Sequence, residues 1–194
     1  MSDRDLDSPL VLSLQSGEQS SLDALMKRHQ EPLFRYIYRY VNREEDAREI
    51  TQETFVRAYF KIHQFEPKAK FVTWLYRIAT NLCRDRVRSR TYKKSIQTDS
   101  LITTDSEGEE SERPLASLDQ DPSKKLETKE KMSELERAIQ DLTHDLKTVF
   151  VLAVLEERSH QECSEILGTS PKTIEMRVYR ARKFLAEKLK KAGY

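Results

Sequence analysis

Glycine and proline are scarce in this chain, with 4 and 6 residues among 194. Folds built from β-hairpins use these two residues in their tight turns, so their scarcity disfavours such a fold. Leucine and the charged residues Glu, Lys and Arg suit helices, and charged residues make up 35% of the chain. We therefore predict an all-α protein with helical cores of modest size.

Long apolar runs and ligand clusters are also missing from the sequence. No segment approaches the roughly 20 apolar residues of a membrane span, and the acidic start MSDRDLDSPL lacks the apolar centre of a signal peptide. Cys83 and Cys163 match no metal-ligand spacing, so we interpret both as small packing residues. The four histidines are scattered. The pattern predicts a cytoplasmic protein without a catalytic centre, metal, cofactor or small-molecule substrate.

The net charge of +1 is the balance of three unequal blocks. Residues 1–95 carry 18 basic and 13 acidic side chains, residues 96–136 carry 5 and 12, and residues 137–194 carry 11 and 8. Two basic blocks around an acidic one suggest two modules that face nucleic acid.

These blocks also predict the domain organisation. We expect a helical domain over 1–92, a flexible acidic linker over 93–125 and a C-terminal domain over 126–194. The linker contains TDSLITTDSEGEESERP, which has too few bulky residues to offset the entropy of ordering it. A decorated surface loop would be an alternative interpretation of this stretch.

Two helices are predicted in the first domain before residue 64. Apolar residues recur at helical spacing from Ser21 to Val41, where Pro32 should kink or interrupt the helix. Asn42 is predicted to cap the next helix, with Glu45 three residues later, in a capping-box arrangement. A loop over 64–70 follows.

The most informative segment is FVTWLYRIATNLCRDRVRSR, residues 71–90. At helical spacing it has one apolar stripe, which predicts a buried face. The stripe consists of Phe71, Trp74, Leu75, Ile78 and Leu82. The opposite front is cationic and carries Thr73, Arg77, Asn81, Arg84 and Arg88. Such a front suits a phosphate backbone, although many amphipathic surface helices carry solvated arginines without any such role.

The C-terminal sequence predicts a helix-turn-helix. Ser159 and Glu162 form a capping-box signature, Gly168 can end the short helix in the left-handed conformation, and Ser170-Pro171 can start the next one. That second helix is basic, which favours DNA recognition, although similar units also serve as plain packing modules.

This order of modules resembles the extracytoplasmic-function sigma factors of bacterial RNA polymerase. DAREITQETFVRAYFKIHQF is similar to the core-polymerase-binding helix of that family. FVTWLYRIATNLCRDRVRSR is similar to its promoter-melting helix, which reads the −10 element. SHQECSEILGTSPKTIEMRVYRARKFL is similar to its helix-turn-helix, which reads the −35 element. The resemblance covers nearly the whole chain except the linker.

The resemblance implies a role for each site residue of the first domain. The contact with the β′ clamp helices and β subunit of core polymerase would involve Asp46, Ile50, Gln52 and Glu53. The −10 element would be held by a loop that captures a flipped base, with Asn81 nearby and arginines on the phosphates. These −10 residues are Phe65, Lys68, Ala69, Lys70, Phe71, Arg77, Asn81, Arg84 and Arg88. For Trp74 the apolar stripe favours a core role over a melting wedge.

The resemblance also implies a −35 contact by the second helix of the helix-turn-helix. The residues are Lys172, Thr173, Glu175, Met176, Arg177, Arg180 and Arg182. Many relatives carry Arg or Lys and then Ser where this chain has Glu175 and Met176, so the −35 sequence that it reads is open. Glu175 could accept from cytosine N4 or simply face solvent. An inhibitory anti-sigma protein, in many relatives anchored to the membrane, is a further implied partner.

Two other classes of function fit the sequence less well. A free-standing helix-turn-helix transcriptional regulator would leave the cationic front of residues 71–90 without a purpose. A nucleic-acid enzyme would need paired carboxylates, a metal cluster or a phosphate-binding glycine loop, and the sequence has none of these.

Overall fold

A computed structural model of the protein describes residues 6–66, 69–99 and 122–193. These ranges contain helices and no strand, which confirms the all-α prediction. The first half has four helices: α1 (Ser8–Gln15), α2 (Ser20–Val41), α3 (Glu44–Lys61) and α4 (Phe71–Asp99), with a 3₁₀ turn at Ile62–Gln64. The second half has α5 (Pro122–Gln140), α6 (His144–Phe150), a π-helical turn at Val151–Leu155, α7 (His160–Leu167) and α8 (Pro171–Lys191).

Helix α2 differs from its prediction in two places. Pro32 lies inside a continuous helix of 22 residues and does not interrupt it. The burial of Leu33, Tyr36 and Ile37 directly after the proline stabilises the helical path there. Asn42 does not cap α3; it ends α2 in the left-handed conformation, with φ of 52°, and its N–H donates to the Tyr38 carbonyl. Arg43 takes the cap position of α3, with no capping side chain.

The two helices next to the predicted linker are longer than the pattern indicated. Helix α4 continues past Arg90 to Asp99, and α5 begins at Pro122 instead of near Leu126. The predicted linker, 93–125, therefore begins and ends in helix. Its residues 100–121 lie outside the described part of the chain.

The N-terminal and C-terminal halves share one hydrophobic core. Tyr36, Tyr40 and Tyr76, from α2 and α4, are fully buried. Leu152 and Ile166, from the second half, belong to the same cluster of buried side chains. A smaller cluster joins α5, α6 and α8 around Phe150 and Leu185. The two halves therefore pack directly against each other, and α4 contacts α7.

Candidate nucleic-acid interface

Helix α4 buries its predicted apolar stripe and exposes most of its cationic front. Phe71, Leu75 and Leu82 are buried, whereas Asn81, Arg84 and Arg88 are exposed. Arg84 donates to the Asn81 side-chain oxygen at 3.1 Å, so these two side chains form one polar unit. Thr73, predicted on the front, is buried instead. The exposed part of the front begins one turn later than the sequence indicated.

The loop before α4 stands on an aromatic cluster. Phe65 and Phe71 are buried and their rings meet edge to face at 6.0 Å. Half-buried Trp74 packs on Phe65 at 5.2 Å and on Phe71 at 6.0 Å, in keeping with the core role favoured for it. Gln15 donates to the Phe65 carbonyl at 3.0 Å and holds the loop to α1. The two phenylalanine rings are therefore covered, and they support the loop from below.

The polar residues of the same loop are at its surface. Ala69 and Lys70 are exposed, and Lys68 lies outside the described residues. Glu66 of the same loop is exposed as well, so solvent reaches the loop on both sides of the residues that are not described.

Helix α3 has one exposed face and one face that pairs with α4. Asp46 is only 4% exposed, and its two carboxylate oxygens lie against Arg86, at 2.7 Å, and Arg90. Glu49 pairs with Arg86 at 2.7 Å and, together with Asp46, raises the pKa of that guanidinium. Ile50 is buried as well. Asp46 therefore joins α3 to α4 through its ion pairs, and Ile50 packs α3 into the hydrophobic core.

The exposed face of α3 includes two apolar residues that the sequence prediction missed. Gln52 and Glu53 are exposed, and Glu53 pairs with Arg57 at 2.7 Å. Val56 and Phe60 follow at helical spacing and are 48% and 75% exposed. The missed signal was in the sequence, because these two side chains fall outside the apolar face that Ala47, Ile50 and Ala58 define. The α3 strip, as we call it, consists of Glu49, Gln52, Glu53, Val56 and Phe60.

The helix-turn-helix has the caps that the sequence predicted. The Ser159 hydroxyl accepts from the Glu162 N–H at 3.2 Å, and the Glu162 carboxylate accepts from the Ser159 N–H at 3.0 Å. Gly168 ends α7 with φ of 62°, and the Ser170 hydroxyl accepts from the Thr173 N–H at 3.1 Å to begin α8. Local hydrogen bonds therefore fix the angle at which α8 leaves the turn.

Helix α8 presents most of its predicted −35 residues to solvent. Lys172, Glu175, Met176, Arg180 and Arg182 are exposed. Lys172 pairs with Glu175 at 3.1 Å, which offsets part of the acidic charge on this surface. Thr173 is half-buried, and its hydroxyl meets that of Ser170 at 2.9 Å.

The sequence prediction missed Tyr179 in the middle of this surface. Its side chain is 64% exposed and lies one turn beyond Met176. It is an aromatic residue in the RVYRAR motif, outside the buried positions Ile174, Val178 and Ala181, and this placement was the available signal.

Two of the predicted DNA-contacting arginines are engaged inside the molecule, Arg77 between the two halves and Arg177 within the C-terminal half. Arg77 donates to the carbonyls of Glu165, at 3.1 Å, and Ile166, at 3.2 Å, at the C-terminal end of α7. Arg177 pairs with Asp145 at 2.8 Å. Together with Asn81, Arg84 and His144 they line a cavity of about 250 Å³. The structure thus brings predicted −10 and −35 residues to one cationic cleft.

Three further contacts join the halves. The Arg158 guanidinium lies 4.1 Å from the centre of the Tyr76 ring. Arg39 pairs with Glu156 at 2.5 Å. The Tyr40 hydroxyl is hydrogen-bonded to Nδ1 of His144. In this closed arrangement the α3 strip and the outer face of α8 are exposed, whereas Arg77 is engaged.

The described residues lack the features of a metal site or a membrane span. No group of three or more His, Cys, Asp or Glu within these ranges could hold a metal ion. None of the helices in the described ranges combines the length and the apolar character that crossing a bilayer needs.

Comparison with known sequences finds two domain families in this order. Sigma-70 region 2 matches residues 25–92, and Sigma-70, region 4 matches residues 132–185. The ECF RNA polymerase sigma-E factor of Haemophilus influenzae is 30% identical over 193 residues, which cover 97% of this chain and 98% of the relative. The ECF RNA polymerase sigma factor SigW of Bacillus subtilis is 29% identical, and the match covers 93% of this chain and 95% of SigW.

Solved structures show the same arrangement of helices. One is the structure of CnrH in complex with the cytosolic domain of CnrY. The match covers 95% of this chain and 97% of the matched chain, with a TM-score of 0.67 and 25% identity. Another is the sigma factor RpoE from Bartonella quintana, which was solved with the anti-sigma factor NepR. This match covers 87% of this chain and 96% of the matched chain, with a TM-score of 0.63 and 21% identity. From the near full-length relative and the two matched regions, we conclude that the chain belongs to the extracytoplasmic-function family of RNA polymerase sigma factors.

Proposed function

We propose that the chain acts in the cytoplasm as the promoter-specificity subunit of RNA polymerase. It binds core polymerase and directs initiation at promoters through a −10 and a −35 element, without catalysing a reaction of its own. The observation that carries this proposal is the order of a region 2 with a cationic α4 and a region 4 with an exposed basic α8. A free-standing regulator is disfavoured, because sigma-family similarity extends over 97% of the chain.

The α3 strip is our proposed contact with the β′ clamp helices of the polymerase. An apolar centre with a polar rim is typical of protein interfaces, and Val56 and Phe60 supply the apolar part. Gln52 and Glu53 supply the polar rim. Asp46 and Ile50 are buried beneath the strip, so we assign them the role of holding α3 against α4.

The −10 contact in this proposal involves the exposed end of the α4 front. Asn81 is the candidate for reading a base edge, because its amide can both donate and accept. Arg84 and Arg88 are candidates for phosphate contacts that position the opened strand. Arg77 could join them only after leaving the carbonyls of α7.

The −35 contact in this proposal is the outer face of α8. Arg180 and Arg182 would bind phosphates, whereas Met176 and Tyr179 offer apolar contact to thymine methyl groups or sugars. Lys172 and Glu175 are paired with each other, so a base contact by Glu175 would replace that ion pair.

An anti-sigma protein is the further partner that we propose. CnrH was solved with the cytosolic domain of CnrY, and its fold and identity to this chain support a similar complex here. A membrane-anchored inhibitor would hold the factor away from polymerase until a signal releases it.

Reconstituted transcription tests this function. Core RNA polymerase is mixed with the chain and a library of templates whose −10 and −35 regions are randomised. We expect new start sites that share two elements and that require both components. If the chain instead bound specific DNA alone and left the start sites of polymerase unchanged, the regulator interpretation would replace the proposal.

A further inference from the structure

His144 is the first residue of α6, where the two halves of the molecule meet. Its half-buried ring packs edge-on against Tyr40 of α2, with ring centres 5.9 Å apart. The Tyr40 hydroxyl is hydrogen-bonded to Nδ1, and Thr148 donates to that hydroxyl at 3.4 Å. Tyr40 and His144 are 104 residues apart in sequence. The contact therefore exists only while the two halves are packed together.

The charges around His144 are mostly positive. Arg84 of α4, Lys147 of α6 and Arg177 of α8 all act against a positive charge on the ring. Asp145 acts in the opposite direction, and because it is paired with Arg177 at 2.8 Å these two charges largely offset each other, which leaves Arg84 and Lys147 as the unbalanced cations. Tyr40, on α2, is uncharged, since burial raises the pKa of its hydroxyl well above the ordinary value. A protonated His144 would thus add a cation to a cationic cleft.

Protonation would also reverse the hydrogen bond at this contact. In the tautomer with its proton on Nε2, the neutral ring accepts from the Tyr40 hydroxyl at Nδ1, whereas an imidazolium has an N–H on both nitrogens and can only donate. The Tyr40 hydroxyl would have to rotate so that its oxygen accepts from Nδ1–H, while the added charge was repelled by Arg84 and Lys147. Burial and the nearby cations therefore oppose protonation while the halves are closed, and protonation also requires the Tyr40 hydroxyl to change from donor to acceptor.

We propose that the Tyr40–His144 contact is an acid-sensitive latch, which keeps the two halves of the free chain closed and opens when His144 is protonated. Burial, followed by the nearby cations, lowers the pKa of His144 in the closed form. In the open form the ring reaches solvent, and its pKa returns to about 6.5. The open form therefore binds the proton more tightly.

The sign of the pH dependence follows from this difference. Closure is fully favoured above about pH 6.5, where the ring is neutral in both forms. As the pH falls from there towards the lowered pKa, the ratio of open to closed molecules rises by up to about tenfold per pH unit. Below the lowered pKa both forms are protonated and the ratio becomes constant.

Opening would release the residues that the closed form engages. Arg77 would leave the carbonyls of Glu165 and Ile166 and could then join Arg84, which is exposed already. The α3 strip is exposed in the closed form already. This consequence for DNA rests on the proposed function, whereas the latch itself does not.

Single-molecule energy transfer on the full chain tests the latch without DNA or polymerase. Dyes are attached through Ser89→Cys on α4 and Glu187→Cys on α8, both exposed positions, while the native Cys83 and Cys163 are buried. The open fraction is counted from about pH 8 to about pH 5.5, a range that spans the ordinary histidine pKa, and circular dichroism reports helix content at each step. We expect the open fraction to rise in acid with helix content unchanged.

Three variants distinguish the latch from a general effect of acid. His144→Gln keeps a neutral acceptor for Tyr40, so its open fraction should not respond to pH. His144→Arg carries a permanent charge and should be open throughout the range. His160→Gln removes an exposed histidine at the start of α7 and should behave as the parent chain does. The proposal is overturned if His144→Gln opens in acid like the parent, if the parent does not open, or if opening occurs only with loss of helix.

Failure of the latch and failure of the proposed function give different results. A chain that directs promoter-specific transcription but shows no pH-dependent opening is a sigma factor without this latch. A chain that opens in acid but changes no start sites has the latch without the proposed function.

Discussion

The buried carboxylate of Asp46 joins α3 to α4 through Arg86 and Arg90. Replacing it with alanine removes one partner of a buried ion pair, so Asp46→Ala should lower the free energy of unfolding by about 2 kcal/mol. Urea denaturation measures this loss. Glu53→Ala is the matched control, because Glu53 lies on the same helix and forms an exposed pair with Arg57. It should change stability by less than about 0.5 kcal/mol.

The same two variants show whether each side chain contacts polymerase directly or only holds α3 in place. Glu53→Ala, measured at a temperature where both variants are fully folded, should weaken the affinity for core polymerase, because the side chain belongs to the α3 strip. Asp46→Ala should weaken it less. If Asp46→Ala were as stable as the parent chain and bound polymerase poorly, Asp46 would be a direct contact as the resemblance implies.

Glu157 is a residue whose backbone carries strain. Its φ is 53°, a left-handed conformation that side chains with a Cβ rarely adopt, and it lies exposed between the π-helical turn and α7. Glycine adopts this conformation without the strain of about 1–2 kcal/mol that a residue with a Cβ has there. However, a glycine has more conformational freedom in the unfolded chain, and losing it on folding costs roughly 0.5–1 kcal/mol. Glu157→Gly should therefore stabilise the fold by about 0.5 kcal/mol.

The control for this effect is a glycine in a regular helix. Glu187 is exposed in the interior of α8, so Glu187→Gly should destabilise by about 1 kcal/mol. Opposite signs in the shift of the thermal midpoint would confirm that the conformation at residue 157 matters. Equal destabilisation by both variants would contradict it.

Helix α8 allows base reading and phosphate binding to be tested on one surface. If Glu175 reads a base, Glu175→Ala should change the preferred base at one −35 position. If Glu175 only pairs with Lys172, the variant should bind all sequences slightly more tightly, because an acidic charge near the phosphates is gone. A randomised −35 library measured at two salt concentrations distinguishes the two results.

Arg180→Ala is the contrast within the same helix. A phosphate contact should weaken binding to every sequence alike and reduce the salt slope by about one unit. A changed base preference for Arg180→Ala would instead place this arginine on a base edge. An unchanged salt slope would remove it from the DNA interface.

Helix boundaries could be predicted where short-range hydrogen bonds set them. The caps of α7 and α8 are contacts between residues three apart, Ser159 with Glu162 and Ser170 with Thr173, and the sequence displays both partners. Asn42 was assigned to the wrong helix, because asparagine is competent both as an N-terminal cap and in the left-handed conformation that ends a helix. Pro32 does not interrupt α2 as one of the two predicted outcomes had it, because the burial of Leu33, Tyr36 and Ile37 outweighs its local cost.

The exposure of α3 residues was only partly predictable. The family resemblance pointed to a docking helix, but burial depends on which side faces α4, and the apolar period of α3 is weak. Asp46 therefore looked like surface charge, whereas its partners Arg86 and Arg90 lie about 40 residues later on another helix. The same packing leaves Phe60 exposed.

At the scale of the whole molecule, the contacts that matter most join residues far apart in sequence. Arg77 meets the Ile166 carbonyl across 89 residues, and the hydrogen bond between Tyr40 and His144 spans 104. Each of these side chains has a plausible role within its own half, so the sequence offered no reason to pair them. The closed arrangement arises from a shared core, in which Leu152 and Ile166 pack with the tyrosines of α2 and α4.

The ion pair between Arg39 and Glu156 offers a charge-swap test of the closed arrangement. Arg39 also donates to the Leu155 carbonyl, so Arg39→Glu removes one attraction, loses a second hydrogen bond and places two carboxylates together. The open fraction in the energy-transfer assay should rise about tenfold, which corresponds to a loss near 1.4 kcal/mol. The affinity of the chain for non-specific DNA, measured without polymerase, should rise as well, because Arg77 is released from the carbonyls of α7.

Restoring the opposite charges should close the molecule again in part. Arg39→Glu combined with Glu156→Arg regains the ion pair but not the bond to the Leu155 carbonyl, since a carboxylate cannot donate. The double variant should therefore lie between the parent and Arg39→Glu in both open fraction and DNA affinity, and double-mutant analysis gives the coupling. If Glu156→Arg had no effect on the Arg39→Glu background, the two side chains would not interact in solution, and the closed arrangement would depend on the shared core and on the other contacts between the halves.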